Sequence, residues 1–271
     1  MNYKIKQTAF LDILGFGDLV MKSANDADLT QTIYECLTSI DPNKIHSDAY
    51  GYVNELAIPT GQLAEVQAMH ENVAKGFSEK WPIGIAYFSD SLVLTAEDST
   101  ACYLVLELIC KLMIRIWTDY NLLIRGGITI DKIVHVKNGP IFGPAMNNAY
   151  YLESKYAKYP RVIFDKKTSN TLKNVPNYNV MSRLFSEDGD YVSINLASAY
   201  DHLLNTSMIG SHPSSRNKLI DDILETPGRL ANKVDEFSAD DKICPKYVWI
   251  KEKFDAFVEK GRNSFLVKRN A

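Results

Sequence analysis

Apolar and polar positions divide this chain into runs with two different periods. Residues 3–13 end in the apolar stretch Ala9-Phe10-Leu11 and read as a strand, central in its sheet. Residues 18–39 place Leu19, Val20, Leu29, Ile33, Cys36 and Leu37 at helical spacing, interrupted by Ser23-Ala24-Asn25-Asp26, which predicts two helical pieces. Pro42, Gly51, Pro59 and Gly61 punctuate 41–61, the expected insertion loop, and residues 62–78 carry Leu63, Val66, Met69, Val73 and Phe77 on one helical face. The β-rich runs 83–88 and 91–95 flank Ser89-Asp90, so they predict a hairpin with Asp90 near its tip. Asp98-Ser99-Thr100 caps a long helix to Asp119, striped by Leu104, Val105, Leu108, Leu112, Ile116 and Trp117.

The second half continues with a strand over 122–130, carrying Gly126 and Gly127, and a further strand over 132–136. A helix is predicted over 145–157, a strand over 161–164 and a short helix over 167–172, then strand-like segments about Glu187-Asp188-Gly189-Asp190. From Leu196 on, two helical stripes appear: Leu219, Ile220, Ile223, Leu224, Leu230 and Val234, then Tyr247, Ile250, Phe254 and Phe257. The order β-α-α-β-β-α-β, β-α-β, then helices argues for an α+β or α/β layer with an antiparallel hairpin inside it. No internal repeat or low-complexity tract occurs.

Composition narrows the function. The 271 residues are 46% apolar and 23% charged, enough for one large domain or a domain with an extension. A net charge of −3 points to neither a nucleic-acid nor a membrane-surface binder. Cys36, Cys102, Cys110 and Cys244 lack C-x-x-C spacing, so a reduced, cytoplasmic protein without a zinc site is expected, with Cys102 and Cys110 as core thiols. No signal peptide or membrane span is expected; Glu107, Lys111 and Arg115 interrupt the most apolar helix.

Three features carry candidate chemistry. Asp12 stands alone at the end of an apolar strand, before a turn through Gly15 and Gly17 that would leave N–H groups free at a helix N-terminus. That pairing suits a metal and a triphosphate together, and equally a buried acid capping the next helix. Asp90 sits at a hairpin tip, where a turn residue is the plain alternative. Asn147 and Tyr151, at i and i+4, share one helix face and suit a ribose oxygen and a phosphate; the plain alternatives are a helix-start residue and a core aromatic.

Taken together the motifs resemble a known family. Phe10-Leu11-Asp12-Ile13-Leu14-Gly15-Phe16 is similar to the first metal-binding motif of class III nucleotide cyclases, Phe-x-Asp-Ile-x-x-Phe. Tyr87-Phe88-Ser89-Asp90 resembles the second metal-binding hairpin, Lys-x-x-Gly-Asp, and residues 141–152 resemble the segment containing Asn-x-x-x-Arg. The resemblance runs from residue 7 to 172, with the three motifs in order. It implies an α+β, ferredoxin-like palm sheet with flanking helices, a catalytic domain over 1–195 and a helical C-terminal extension over 196–271.

The resemblance also implies a role for each residue. Asp12, the Ile13 carbonyl and Asp90 would hold two Mn²⁺ or Mg²⁺ ions, and N–H groups at Phe16 and Gly17 would support the triphosphate. Asn147 would orient the ribose and Tyr151 would donate to the phosphorane. Arg125, Lys155, Lys158 and Arg161 are phosphate candidates or plain surface and structural charges. Tyr87 is read at the position of the purine-reading Lys and would pack against or hydrogen-bond the base; Ser89 replaces Gly, the acid near Pro140 is missing, and Tyr151 occupies the Arg position. These departures resemble the pyrimidine cyclases of the Pycsar antiphage systems. The implied product is cyclic UMP from UTP, ahead of cyclic CMP from CTP, read by a separate effector. The alternatives are an adenylate or guanylate cyclase with unusual base contacts, a catalytically dead relative, and a polymerase-palm relative that joins two nucleotides, whose Gly-Gly-Asp/Glu-Glu-Phe signature is absent from the sequence. A homodimer with sites at its interface is implied.

Overall fold

A computed structural model describes residues 2–41, 75–76, 78–97, 99–173, 182–188, 191–206 and 213–269. The expected loop over 42–61, most of the helix expected over 62–78, and the Asp98 cap fall outside the described residues. Strand β1 (Lys4–Ile13) leads to helices α1 (Phe16–Ser23) and α2 (Ala27–Ser39). The hairpin β2 (Ile83–Phe88) and β3 (Ser91–Ala96) precedes α3 (Ser99–Tyr120) and β4 (Ile124–His135). Then come the short β5 (Ile141–Phe142), α4 (Pro144–Tyr151), which widens into a π turn over Leu152–Tyr156, β6 (Arg161–Phe164) and α5 (Lys166–Leu172). The chain closes with β7 (Ser186–Asp188), β8 (Tyr191–Asn195), α6 (Leu196–Asn205), α7 (Pro213–Glu236) and α8 (Cys244–Arg269).

The sheet order is β2-β3-β1-β4-β6-β8-β7, with β5 paired to β4. The first four strands pair antiparallel throughout. Read from β4, their order 4-1-3-2 is the split βαβ arrangement of the ferredoxin-like fold. β6 adds parallel to β4 and continues the sheet. The protein is therefore α+β, and β1 is central as its apolar run requires. Where the sequence predicts two strands over 122–136, there is one: β4 pairs with β1 without a break from Lys4↔Ile133 to Ile13↔Ile124, so the ladder carries through the polar Asp131.

Alternation gives the sheet two unlike faces. Ala9, Leu11, Leu92 and Leu94 face the main core with α3. Phe10 and Val93 face the other way, against Ala149 of α4. Gly127 allows α4 to lie this close: a β-carbon there would fall 2.3 Å from the Ala149 carbonyl and 2.6 Å from Leu152 Cβ.

The helices after residue 195 are part of the main core. Leu203, Ile220, Ile223, Leu230, Ile250 and Phe254 join the same buried cluster as α3. Trp117, fully buried, donates from Nε1 to Thr226 of α7 at 3.1 Å. Arg229 Nη2 donates to the carbonyls of Trp117 and Thr118 at 2.7 and 2.9 Å, tying α7 to the C-terminal end of α3. Cys110 is buried as expected, whereas Cys102 is only half-buried. Among the described residues no helix is long and apolar enough to cross a membrane.

Candidate active site

β1 stops at Ile13 because the chain turns at once through Gly15, whose φ of 79° lies in the left-handed region. Two main-chain bonds lock this end. Leu14 N–H donates to the Leu123 carbonyl at 2.8 Å, and Ile13 N–H donates to the Asp90 carbonyl at 3.3 Å. The second bond ties the tip of the β2–β3 hairpin to the end of β1. Ser89 takes φ 53° to make that two-residue turn. Asp12 and Asp90, far apart in sequence, thereby come close enough for each carboxylate's charge to act on the other.

Asp12 is on the α4 side of the sheet, in phase with Phe10. Its pairing partner on β4 is Arg125, whose Nε donates to Asp12 Oδ2 at 3.0 Å. Burial raises the Asp12 pKa above the ordinary carboxylate range. Arg125 pulls it down by charge and hydrogen bond, and Asp90 pushes it up by both. Two carboxylates this close repel each other when both are ionised, and a divalent cation would relieve that repulsion. Oxygen-only donors suit Mg²⁺ or Mn²⁺. Among the described residues no group of three or more His, Cys, Asp or Glu could hold an ion. A cation here would rest on two carboxylates completed by main-chain and substrate oxygens.

The sequence reading missed a third acid. Glu153, in the π turn, is 3% exposed, and its Oε1 lies 2.7 Å from Arg125 Nε without making a hydrogen bond. Burial raises its pKa to about 7; Arg125 lowers it, and Asp12 and Asp90 raise it further. A signal was present in the sequence. Glu153 follows Ala145 and Ala149 at four-residue steps, so it continues the buried stripe of α4 as a charge. Arg125, a phosphate candidate by sequence, is occupied here by two acids.

A second missed residue comes from the far end of the chain. Lys246, in the first turn of α8, is half-buried and within electrostatic reach of Asp12, Asp18 and Arg125. Burial lowers its pKa most and Arg125 lowers it further, against Asp240, Asp12 and Asp18. The start of α8 is anchored to the strand ends by Trp249, which stacks on Tyr159 at 5.2 Å between ring centres, with the Arg161 guanidinium 5.6 Å from the Trp249 ring. Arg161 is thus buried against aromatics, while Lys155 and Lys158 are exposed.

Phe16 and Gly17 open α1, and the first intrahelical bond is Leu19 N–H to the Gly15 carbonyl. The N–H groups of Phe16, Gly17 and Asp18 have no intrahelical acceptor. The Phe16 side chain is buried and pins this turn.

Asn147 and Tyr151 are not brought to this cluster. α4 buries Ala145 and Ala149 against the sheet, and both residues lie on its exposed side. Tyr151, expected by the plain reading to be core, is 52% exposed and packs edge-on against Tyr156 at 5.5 Å. A cavity of about 410 Å³ beside them is lined by Asn148, Tyr151, Tyr156, Asp165, Lys166 and Tyr191. The exposed aromatics Phe88 and Tyr150 lie on the same side, each against Phe10.

Tyr87 needs a correction of register. Counted back from Asp90, the Lys of Lys-x-x-Gly-Asp falls on Ala86. The pairing agrees with the count. Tyr87 pairs with Leu92, which pairs with Leu11, so Tyr87 shares the core face; Ala86 pairs with Val93 and shares the Phe10 and Asp12 face.

No protein-family model matches the chain, and no curated protein does. Among solved structures it is similar to the adenylyl cyclase CyaB from P. aeruginosa, with a TM-score of 0.42 and 13% identity over 72% of this chain and 94% of that one. The monomeric guanylyl cyclase domain of the RhoGC fusion protein from the aquatic fungus Blastocladiella emersonii gives 0.42 and 12% over 72% and 96%. A bacterial light-regulated adenylyl cyclase gives 0.39 and 12% over 78% and 99%.

Proposed function

We propose that this chain is a metal-dependent nucleotide cyclase that converts a pyrimidine nucleoside triphosphate, UTP ahead of CTP, to the 3′,5′-cyclic monophosphate and pyrophosphate. The reading rests above all on Asp12 and Asp90, which the Ile13–Asp90 bond brings together at the end of β1. In the reaction the ribose 3′-oxygen attacks the α-phosphorus and pyrophosphate leaves. Divalent ions held by Asp12, Asp90 and the Ile13 carbonyl would acidify the 3′-hydroxyl and neutralise the phosphates. The N–H groups of Phe16 and Gly17 and the ammonium of Lys246 face the triphosphate. Asn147 orients the ribose, and Tyr151 donates to the phosphorane more weakly than Arg would.

Because Asn147 and Tyr151 lie on the outer side of α4, the complete site needs a second protomer. A two-fold dimer would cover the exposed aromatic side of α4 and set these residues over the partner's acids. Ala86 at the Lys position leaves no ammonium for a purine, and this supports a pyrimidine substrate. A soluble cyclic pyrimidine nucleotide read by a separate effector in antiphage defence is the role this proposal carries.

The test is incubation of the purified protein with each of the four NTPs and Mn²⁺, with products identified by mass spectrometry. Cyclic UMP or cyclic CMP should form at least a hundredfold faster than either purine product, since a site that reads hydrogen bonds discriminates by orders of magnitude. Comparable cyclic AMP would return the protein to adenylate cyclisation. No cyclic product from any NTP would leave a nucleotide-sensing module.

A further inference from the structure

The Arg125 guanidinium stands between two acids, and its Nε carries a single N–H. That N–H is spent on Asp12 Oδ2 at 3.0 Å. Glu153 Oε1 is nearer, at 2.7 Å, but off the N–H line, and it has no hydrogen bond from any group. A buried carboxylate oxygen without a donor is costly, and buried acceptors nearly always find a partner. This one is kept in place by the close approach of the π turn to Gly127. Asp12, Arg125 and Glu153 are also unequal in exposure. The Asp12 and Arg125 side chains reach the rim at 18% and 26%, whereas Glu153 lies behind them at 3%.

A cation seated on Asp12 and Asp90 would repel the guanidinium and compete for the same Asp12 oxygen. Arg125 cannot give up its proton, so it must find another acceptor or resist the ion. Glu153 Oε1 is that acceptor, and a small rotation of the guanidinium plane would align Nε–H with it. We propose that Glu153 is a positioning residue for the cation site, taking the Arg125 guanidinium when Asp12 turns its carboxylate to a divalent ion. Arg125 is then a resident counter-charge that holds the two acids together before the ion arrives. Glu153 itself touches no ion and no substrate. The inference rests on the proposal that Asp12 and Asp90 hold the metal.

The experiment measures Mn²⁺ binding to the full-length protein without nucleotide, by the electron paramagnetic resonance signal of the free ion. Asp12→Ala controls the underlying reading: if it binds Mn²⁺ as wild type does, the metal site itself is wrong. With Asp12 required, Glu153→Gln should weaken Mn²⁺ about tenfold, because Arg125 then has no carboxylate to move to. Arg125→Gln removes the competitor, and adding Glu153→Gln to it should change the affinity by less than twofold. Such a cycle isolates the coupling between the two residues. Equal weakening by Glu153→Gln in both backgrounds would make Glu153 a ligand or a packing residue and overturn the proposal, as would no weakening in either. If Arg125→Gln does not fold, the Arg125 Nε–H proton resonance provides the reading instead. Mg²⁺ should move it in the wild type and leave it in place in Glu153→Gln, and an unmoved resonance in the wild type overturns the proposal.

Discussion

The end of β1 and the outer side of α4 are built in opposite ways. At the end of β1 the charged side chains are drawn together within one chain: Asp12 is bonded to Arg125, Arg125 is ion-paired with Glu153, and the Ile13–Asp90 main-chain bond holds the hairpin tip beside them. On α4, across the Phe10–Tyr150 contact, Tyr150 and Tyr151 are half exposed, and Asn147 is exposed. A site assembled within one chain would have buried the second set beside the first. The difference teaches that the acids are organised by their own fold, while the helix residues are presented outward. It gives each region its own kind of experiment.

Removing either acid should have the largest effect. Asp12→Ala and Asp90→Ala should each lower turnover by about a thousandfold or more, since each removes a carboxylate from an ion the chemistry needs. Because Asp12 is at a strand end and Asp90 in a turn, circular dichroism should show both variants folded. EDTA should abolish turnover in the wild type and added Mn²⁺ should restore it. Near-normal turnover in either variant would remove the metal role from the β1 end.

Mixing experiments address the outward helix. Inactive Asp12→Ala and inactive Asn147→Ala protomers, allowed to exchange, form dimers with one doubly damaged and one intact site. With random exchange about half the dimers are mixed and half of their sites work, so roughly a quarter of wild-type activity should return. If mass spectrometry shows exchange and no activity returns, Asp12 and Asn147 act in the same protomer and the contrast between the two regions loses its meaning.

What could be read from the sequence follows the same division. Strands and helices were legible because their periods are local, and Asp12 and Asp90 were legible because each interrupts an apolar run. The antiparallel hairpin and the central position of β1 followed from the same runs. The face of Tyr87 was also within reach: counting back from Asp90, or alternating along β2, places Ala86 and not Tyr87 beside Phe10. Glu153 was harder. Four-residue steps from Ala145 and Ala149 point it inward, but that it meets Arg125 there depends on how α4 and its π turn pack on the sheet. Lys246 was not legible at all, because only the packing of α8 against Tyr159 brings it back to a turn more than two hundred residues earlier. The apolar stripes of α7 and α8 predicted helices but could not say that they complete the main core.

Lys246→Ala tests whether that packing serves the β1 end. Lys246 lies within electrostatic reach of Asp12 and Asp18; if its ammonium binds the triphosphate, its loss should raise KM for the nucleotide about tenfold with kcat changed less than threefold, the pattern of lost binding common to ground and transition states. Steady-state kinetics at saturating Mn²⁺ reads both constants. A fall in kcat at constant KM would instead place Lys246 at the reacting phosphorus. No change in either would leave it as a neighbour that only balances Asp12 and Asp18.

The smallest effect concerns stability and isolates the charge cluster from catalysis. Burial, opposed by Arg125 and assisted by Asp12 and Asp90, raises Glu153 from 4.5 to about 7. The folded protein therefore holds a proton that the unfolded chain releases at lower pH. For this sign of shift, stability is complete below about pH 4.5 and is lost as pH rises through about 7. With about 1.4 kcal/mol for each unit, the loss is on the order of 3–4 kcal/mol at pH 8. Glutamine copies the protonated acid and cannot ionise. Asp12 shifts in the same direction but is common to both proteins, so it cancels in the comparison. Thermal unfolding in EDTA should therefore give Glu153→Gln the melting temperature of wild type near pH 4.5 and a higher one at pH 8, a gain of several degrees. If the variant melts below wild type at pH 8, the ionised Glu153–Arg125 pair is worth more than its burial costs, and the β1 end is held together by that pair rather than by the Asp12–Arg125 bond alone.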